Sequence, residues 1–189
     1  MRILLIRHGR SAHVHRGGLL DRTGVERWLA AYDAAGIADD DPPPPSLIDE
    51  IAGVSTVAAS DLARAIASAA RLAPGREVTT SPLFREHPLT IPSLPFPVPF
   101  AVWSVLVHAR WGIDIMRGHD EPSETRERSG RAAVWCREAA GRAGDGTVAV
   151  VTHGAFRRLL ARRMIAEGWR AEHPTRDYGH WSVWRLRAG

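Results

Sequence analysis

The sequence contains no lysine, no asparagine and no glutamine, and it has a single cysteine, Cys136. One cysteine excludes an intrachain disulfide and suits a reducing compartment. Without lysine, all 25 cationic side chains are arginines, set against 21 Asp and Glu for a net charge of +4. Arginine keeps its proton to about pH 12 and beyond. A small excess of it therefore holds the isoelectric point near 10.4, which makes that value a poor argument for a nucleic-acid partner. The missing residue types read as a coding bias toward Arg and Ala, not as a functional signal. Long apolar runs are missing too. The longest apolar region, 91–107, is broken by Pro92, Pro95, Pro97 and Pro99, whereas a membrane helix needs roughly 20 uninterrupted apolar residues. The run 1–6 is too short for a signal peptide. These gaps point to a cytoplasmic protein with no membrane association.

The 189 residues, with 44% hydrophobic and 24% charged content, suit one globular domain over 1–189. Buried strands are expected at 2–7 (RILLIR), 54–60, 77–80, 147–152 (TVAVVT) and 180–186. Helical spacing or helix punctuation marks 21–35, 61–72, 122–140 and 155–167, with a further helix at 99–116 inside an inserted segment spanning 88–118. Ser60 or Asp61 is the expected N-cap of the second of these, and the proline run at 39–45 reads as a loop. Alternating strands and helices predict an α/β fold: a three-layer α/β/α sandwich with a mostly parallel central sheet and an inserted helical lid. Ligands in such sheets bind at the carboxyl ends of the strands. Arg7-His8-Gly9, Ser60-Asp61 with Arg64, and His153-Gly154 all follow predicted strands.

Four segments, LIRHGRS (with Ser11 last), SDLARAIASAA, LFRE ending at Glu86, and VVTHG ending at Gly154, occur in this order. Together with EPSETRERSGR (121–131) they make a pattern that resembles the histidine phosphatase superfamily, also called the phosphoglycerate-mutase-like family. The resemblance covers nearly the whole chain except 36–50 and 88–118. It implies a metal-independent, cofactor-free phosphatase acting on a small phosphorylated substrate, with no nucleic-acid partner. His8 is then the nucleophile, with one ring nitrogen attacking phosphorus and the other donating to a backbone carbonyl. Arg7, Arg64 and His153 grip the phosphoryl oxygens, helped by Gly9, Ser11 and the Gly154 amide. Glu86 protonates the leaving alcohol and then activates water. The chemistry fits the residue types, because a phosphate monoester carries about two negative charges at neutral pH and the planar guanidinium gives bidentate contacts to its oxygens.

Departures from the family pattern stand at Arg10 and at Val14, where Asn is common; His13 or Ser11 is the candidate replacement. Within the enzyme class, a phosphoglycerate-type mutase and a phosphohistidine or phosphoprotein phosphatase remain open. A phosphate-binding module without catalysis is the reading from another class. Arg10, His13, Trp103 and His108 are candidate substrate-pocket residues. The aromatic stretch 91–111 either fills core or walls the leaving group. The pair His13 and His15 lacks a third ligand at convincing spacing and reads as solvated loop residues. Arg157, Arg158, Arg162 and Arg163 read as the solvated face of an amphipathic helix. No oligomeric state follows from the sequence.

Overall fold

The computed structural model describes the chain except residues 16, 89, 117–122 and 174. Its strands are β1 (Arg2–Arg7), β2 (Leu19–Leu20), β3 (Thr56–Ser60), β4 (Thr79–Ser81), β5 (Val98–Pro99), β6 (Thr147–Thr152), β7 (Arg170–Ala171) and β8 (Val183–Arg187). Its helices are α1 (Arg22–Ala34), α2 (Pro45–Ala52), α3 (Ala63–Leu72), α4 (Phe100–Met116), α5 (Ser123–Arg142) and α6 (Gly154–Ala166). The main sheet has the order β4-β3-β6-β1-β8-β7. β1, β3, β4 and β6 run parallel, while β8 returns antiparallel to β1.

The period-two alternation of a strand builds the three layers. Ile3 and Leu5 of β1 face a core made with Ala132 and Cys136 of α5 and Phe156 and Leu160 of α6. Leu4 and Ile6 face the opposite core, with Leu47 and Ile51 of α2 and Ala65, Ala69 and Leu72 of α3. Because both faces of β1 are covered, its sequence is a continuous apolar run rather than an alternating one. Cys136 is fully buried, and burial pushes its thiol up to about 12.

Several sequence expectations are corrected. The proline run ends by opening α2, with Pro45 at its first turn, where a missing N–H costs nothing. The N-cap of α3 is Leu62; Ser60 Oγ instead accepts from the Leu62 N–H at 3.3 Å. The predicted terminal strand starts later, at Val183, and an unforeseen edge strand, β7, pairs with it. Pro122, the predicted first residue of α5, lies outside the described residues, as do residues 117 and 118 of the inserted segment.

The inserted helix α4 is tied to the chain just after the first strand. β5 pairs antiparallel with β2. Trp103 Nε1 donates to the Leu20 carbonyl at 2.8 Å, and its side chain is 1% exposed. Trp103 thus anchors α4, with its N–H already used and its side chain buried. His108 stands on the exposed side of α4 and bonds back to the Ser104 carbonyl at 2.6 Å. Of these two expected pocket residues, Trp103 has its one polar side-chain atom taken by the backbone, while His108 faces solvent.

Candidate active site

β1 ends at Arg7 between two neighbours, and the chain continues straight into the site. The His8 N–H donates to Thr152 O at 3.0 Å and the Arg7 N–H to Ser182 O at 3.0 Å. His8 is 2% exposed. Its Nδ1 lies 2.6 Å from the Gly9 carbonyl oxygen, which can only accept, so Nδ1 carries the proton. Its Nε2 accepts from Arg64 Nε at 3.2 Å and therefore carries the lone pair. Burial holds the imidazole well below the usual histidine range. The Gly9 carbonyl works against that shift, and the charges of Arg64, Arg7 and His180 add to it.

Arg64 sits in the first turn of α3 and is 2% exposed. Its Nη1 donates to Asp33 Oδ1 at 2.9 Å and to Tyr32 O at 3.2 Å, and its guanidinium lies 4.3 Å over the Tyr32 ring. Arg7 donates through Nη1 to the Tyr178 carbonyl, while its buried Nε has no partner. His153 occupies the N-cap position of α6, with no exposure, its ring 5.0 Å from that of His8. Both its ring nitrogens are buried without a partner. Burial, then the neighbouring His8, Arg64 and Arg7, hold His153 well below the usual histidine range. A satisfied core histidine would show a hydrogen bond here. Gly154 opens α6 within van der Waals reach of the Arg7 side chain.

Glu86 follows a 3-10 turn (Pro82–Phe84). Its Oε1 accepts from Phe156 N at 2.8 Å and His87 N at 2.9 Å, and its Oε2 from Ala155 N at 3.4 Å. The carboxyl group thus sits at the positive end of α6, as an acceptor. Arg128 of α5 holds this loop from behind, donating to the carbonyls of Arg85 at 2.5 Å, Glu86 at 3.2 Å and Leu83 at 3.3 Å. Among the described residues of segment 121–131, Arg128 is the one that holds the Glu86 loop.

The loop that follows His8 is braced by residues that the sequence did not single out. Trp181 packs against Gly9: a Cβ at that position would come 2.3 Å from the ring. Trp181 itself takes φ 60, unusual for a bulky residue. Its Nε1 donates to Asp41 Oδ2 at 2.8 Å, and the same oxygen accepts from the Arg10 N–H at 2.5 Å. The Gly9 N–H, expected to face phosphate, is instead taken by Ser68 Oγ at 2.9 Å. Ser11 is buried and its Oγ accepts from the His13 N–H at 3.2 Å. Arg10 pairs with Asp40 at 2.6 Å. His180, next to Trp181 and exposed, places its ring 5.8 Å from His8. Burial and Arg7 lower its pKa. The only hint of His180 in the sequence is its place just before the strand that pairs with β1.

Two expectations fail around this site. Arg157 is fully buried rather than solvated: its Nη1 donates to Ser182 O at 2.6 Å and its Nη2 to Asp177 O at 2.7 Å. Burial lowers its pKa to about 10. His13 and His15 are half-buried among aromatic rings rather than solvated. Val14 is 52% exposed and takes no part.

The site therefore gathers two arginines, a second buried histidine and a helix N-terminus around the His8 lone pair. Unpartnered polar atoms on Arg7 and His153 suit a tetrahedral oxyanion. Among the described residues no cluster of three His, Cys, Asp or Glu has the arrangement of a metal site, and no helix is long and apolar enough to cross a membrane. An open cavity of about 690 Å³ lies elsewhere, on the α5–α6 surface, lined by Leu83, Arg126, Val134, Trp135 and Glu138. It is lined by none of Arg7, His8, Arg64, Glu86 and His153.

The family model described as histidine phosphatase superfamily (branch 1) matches residues 46–188. No curated protein matches the chain in sequence. Solved structures do match in fold. A mycobacterial glucosyl-3-phosphoglycerate phosphatase superposes with a TM-score of 0.57 at 15% identity, covering 97% of this chain and 88% of that one. A phosphoserine phosphatase from Entamoeba histolytica, in complex with phosphoserine, gives 0.52 at 16% identity, covering 97% and 89%. A Mycobacterium tuberculosis open-reading-frame product gives 0.58 at 17% identity, covering 97% and 89%.

Proposed function

The chain belongs to the histidine phosphatase superfamily, branch 1, and from that premise we propose that it hydrolyses phosphate monoesters through a phosphohistidine on His8. The observation that carries the proposal is the fixed tautomer of His8, with Nδ1–H on the Gly9 carbonyl and the Nε2 lone pair held at Arg64 Nε. A neutral, oriented imidazole is a ready nucleophile.

In the first step the Nε2–P bond forms and the ester P–O bond breaks. Arg7, Arg64 and His153 take the phosphoryl oxygens, over which the charge is spread in the transition state. The leaving oxygen receives a proton, a duty the family resemblance gives to Glu86. In the second step water attacks phosphorus, Glu86 takes its proton, and His8 departs with Nδ1–H intact. The backbone N–H groups on both Glu86 oxygens fix the orientation of the carboxyl group for these proton transfers. The arginine cradle supplies the positive charge that a metal ion would otherwise bring. The lone, buried Cys136 supports a cytoplasmic location.

The test is hydrolysis of an aryl phosphate in excess chelator, beside acid-labile ³²P labelling of the protein. Turnover and label are expected in the wild type, and both are expected to vanish in His8→Ala. Full activity in His8→Ala would overturn the mechanism.

A further inference from the structure

A wall of aromatic side chains starts at the phosphoryl site and runs under the inserted helix. Tyr32 lies beneath the Arg64 guanidinium, 4.3 Å from its ring centre, and Arg7 and Glu86 also act on its hydroxyl. Trp28, one turn earlier on α1, stacks on Tyr32 at 5.2 Å. Phe100, the first residue of α4, meets Trp28 at 4.4 Å, and His15 stacks on Phe100 at 4.9 Å. His13 closes the group at 5.4 Å from Trp28. All five rings are half-buried. Three polar atoms in this wall, Trp28 Nε1, His13 Nε2 and His15 Nε2, are buried and have no hydrogen-bond partner.

Buried polar atoms are ordinarily satisfied, and leaving one bare weakens the fold. Three in one small wall, which reaches His8 through Tyr32 and Arg64, leave hydrogen-bonding capacity that a ligand drawn between the rings would use. Mostly apolar walls with a few placed polar groups are how small-molecule sites are built. We infer that this wall is the leaving-group pocket, and that it takes a flat aromatic or heteroaromatic alcohol bearing hydrogen-bond acceptors. The indole N–H can only donate, so the partner it lacks is an acceptor. None of the five side chains is an arginine, aspartate or glutamate, so a leaving group carrying both an ammonium and a carboxylate finds no fixed counter-charge in the wall. The inference deepens the phosphatase reading above and rests on it for the position of the phosphoryl group.

The experiment is a calorimetric series with non-hydrolysable phosphonates: methylphosphonate, benzylphosphonate and the three pyridylmethylphosphonates. Kinetics on the matching phosphate esters run alongside. Benzylphosphonate is expected to bind about tenfold more tightly than methylphosphonate, from the apolar area covered. One pyridyl isomer is expected to gain a further factor of about three to ten from an acceptor on the wall. Trp28→Phe keeps a ring and removes the donor, and is expected to abolish the pyridyl-over-benzyl ratio. Equal affinity for all the phosphonates in the wild type would overturn the inference, as would an unchanged ratio in Trp28→Phe. Selective binding without turnover or His8 labelling would sink the phosphatase reading and leave the pocket standing. Turnover indifferent to the ring would do the reverse.

Discussion

Arg64 Nε donates to His8 Nε2 at 3.2 Å, so the guanidinium occupies the direction in which the nucleophile's lone pair points. A phosphoryl group bonding to Nε2 must take over that hydrogen bond, and Arg64 then donates to a phosphoryl oxygen without a large movement. Its orientation is set by Asp33, Tyr32 O and the Tyr32 ring.

Arg64→Lys keeps the charge and loses the planar fork, and is expected to lower kcat/KM for an aryl phosphate by about 10²-fold. Steady-state kinetics check this. A loss under threefold would show that a point charge suffices and that the fork geometry is irrelevant.

Stability is expected to fall on acidification. Burial depresses both His8 and His153 in the folded state, whereas in the unfolded chain each titrates near the ordinary value of about 6.5. Below that pH the unfolded chain binds more protons, so folding weakens as pH drops and is at full strength above it. Thermal unfolding between pH 8 and pH 5 should show Tm falling below about pH 6.5. Added phosphate should blunt the fall, because its charge favours the protonated rings. A flat profile below pH 6.5 would contradict the burial of neutral histidines.

Gly9→Ala would place a Cβ 2.3 Å from the Trp181 ring. Trp181 cannot yield easily, since Asp41 holds its Nε1 and the Arg7 carbonyl its N–H. Overpacking of this kind costs about 1–3 kcal/mol, here beside the nucleophile. Denaturant unfolding and kinetics should show both stability and turnover reduced. Wild-type stability in this variant would mean that the tryptophan does not brace the loop.

Arg128→Met removes the hydrogen bonds on the Leu83, Arg85 and Glu86 carbonyls while keeping apolar contact with Phe156. Loosening Glu86 should reduce kcat by about tenfold, with little change in KM, and should make the phosphoenzyme accumulate. Rapid-quench labelling reads that accumulation. A rise in KM at constant kcat would assign Arg128 to substrate binding instead.

Much of this was legible in the chain because it rests on local chemistry. The run RILLIR has to be a doubly covered strand, and TVAVVT likewise. Strands that end in Arg7-His8-Gly9 and His153-Gly154 place those residues together at the carboxyl ends of a parallel sheet whatever the loops do. The helix after the proline run escaped notice because prolines mark where a helix stops or starts, and only the apolar face of Leu47 and Ile51 on the sheet decides between the two.

What tertiary structure alone decided was which distant groups share an environment. His180 reaches His8 across 172 positions because β8 returns beside β1. Arg157 lies buried rather than solvated because the carbonyls of Asp177 and Ser182 close over it. His13, His15 and Trp28 became one wall only when α4 laid Phe100 between them. The sequence determines what each residue is able to do, since charge, shape and hydrogen-bonding capacity are properties of single side chains. Burial and partnership belong to pairs brought together from far apart, and those follow from the fold.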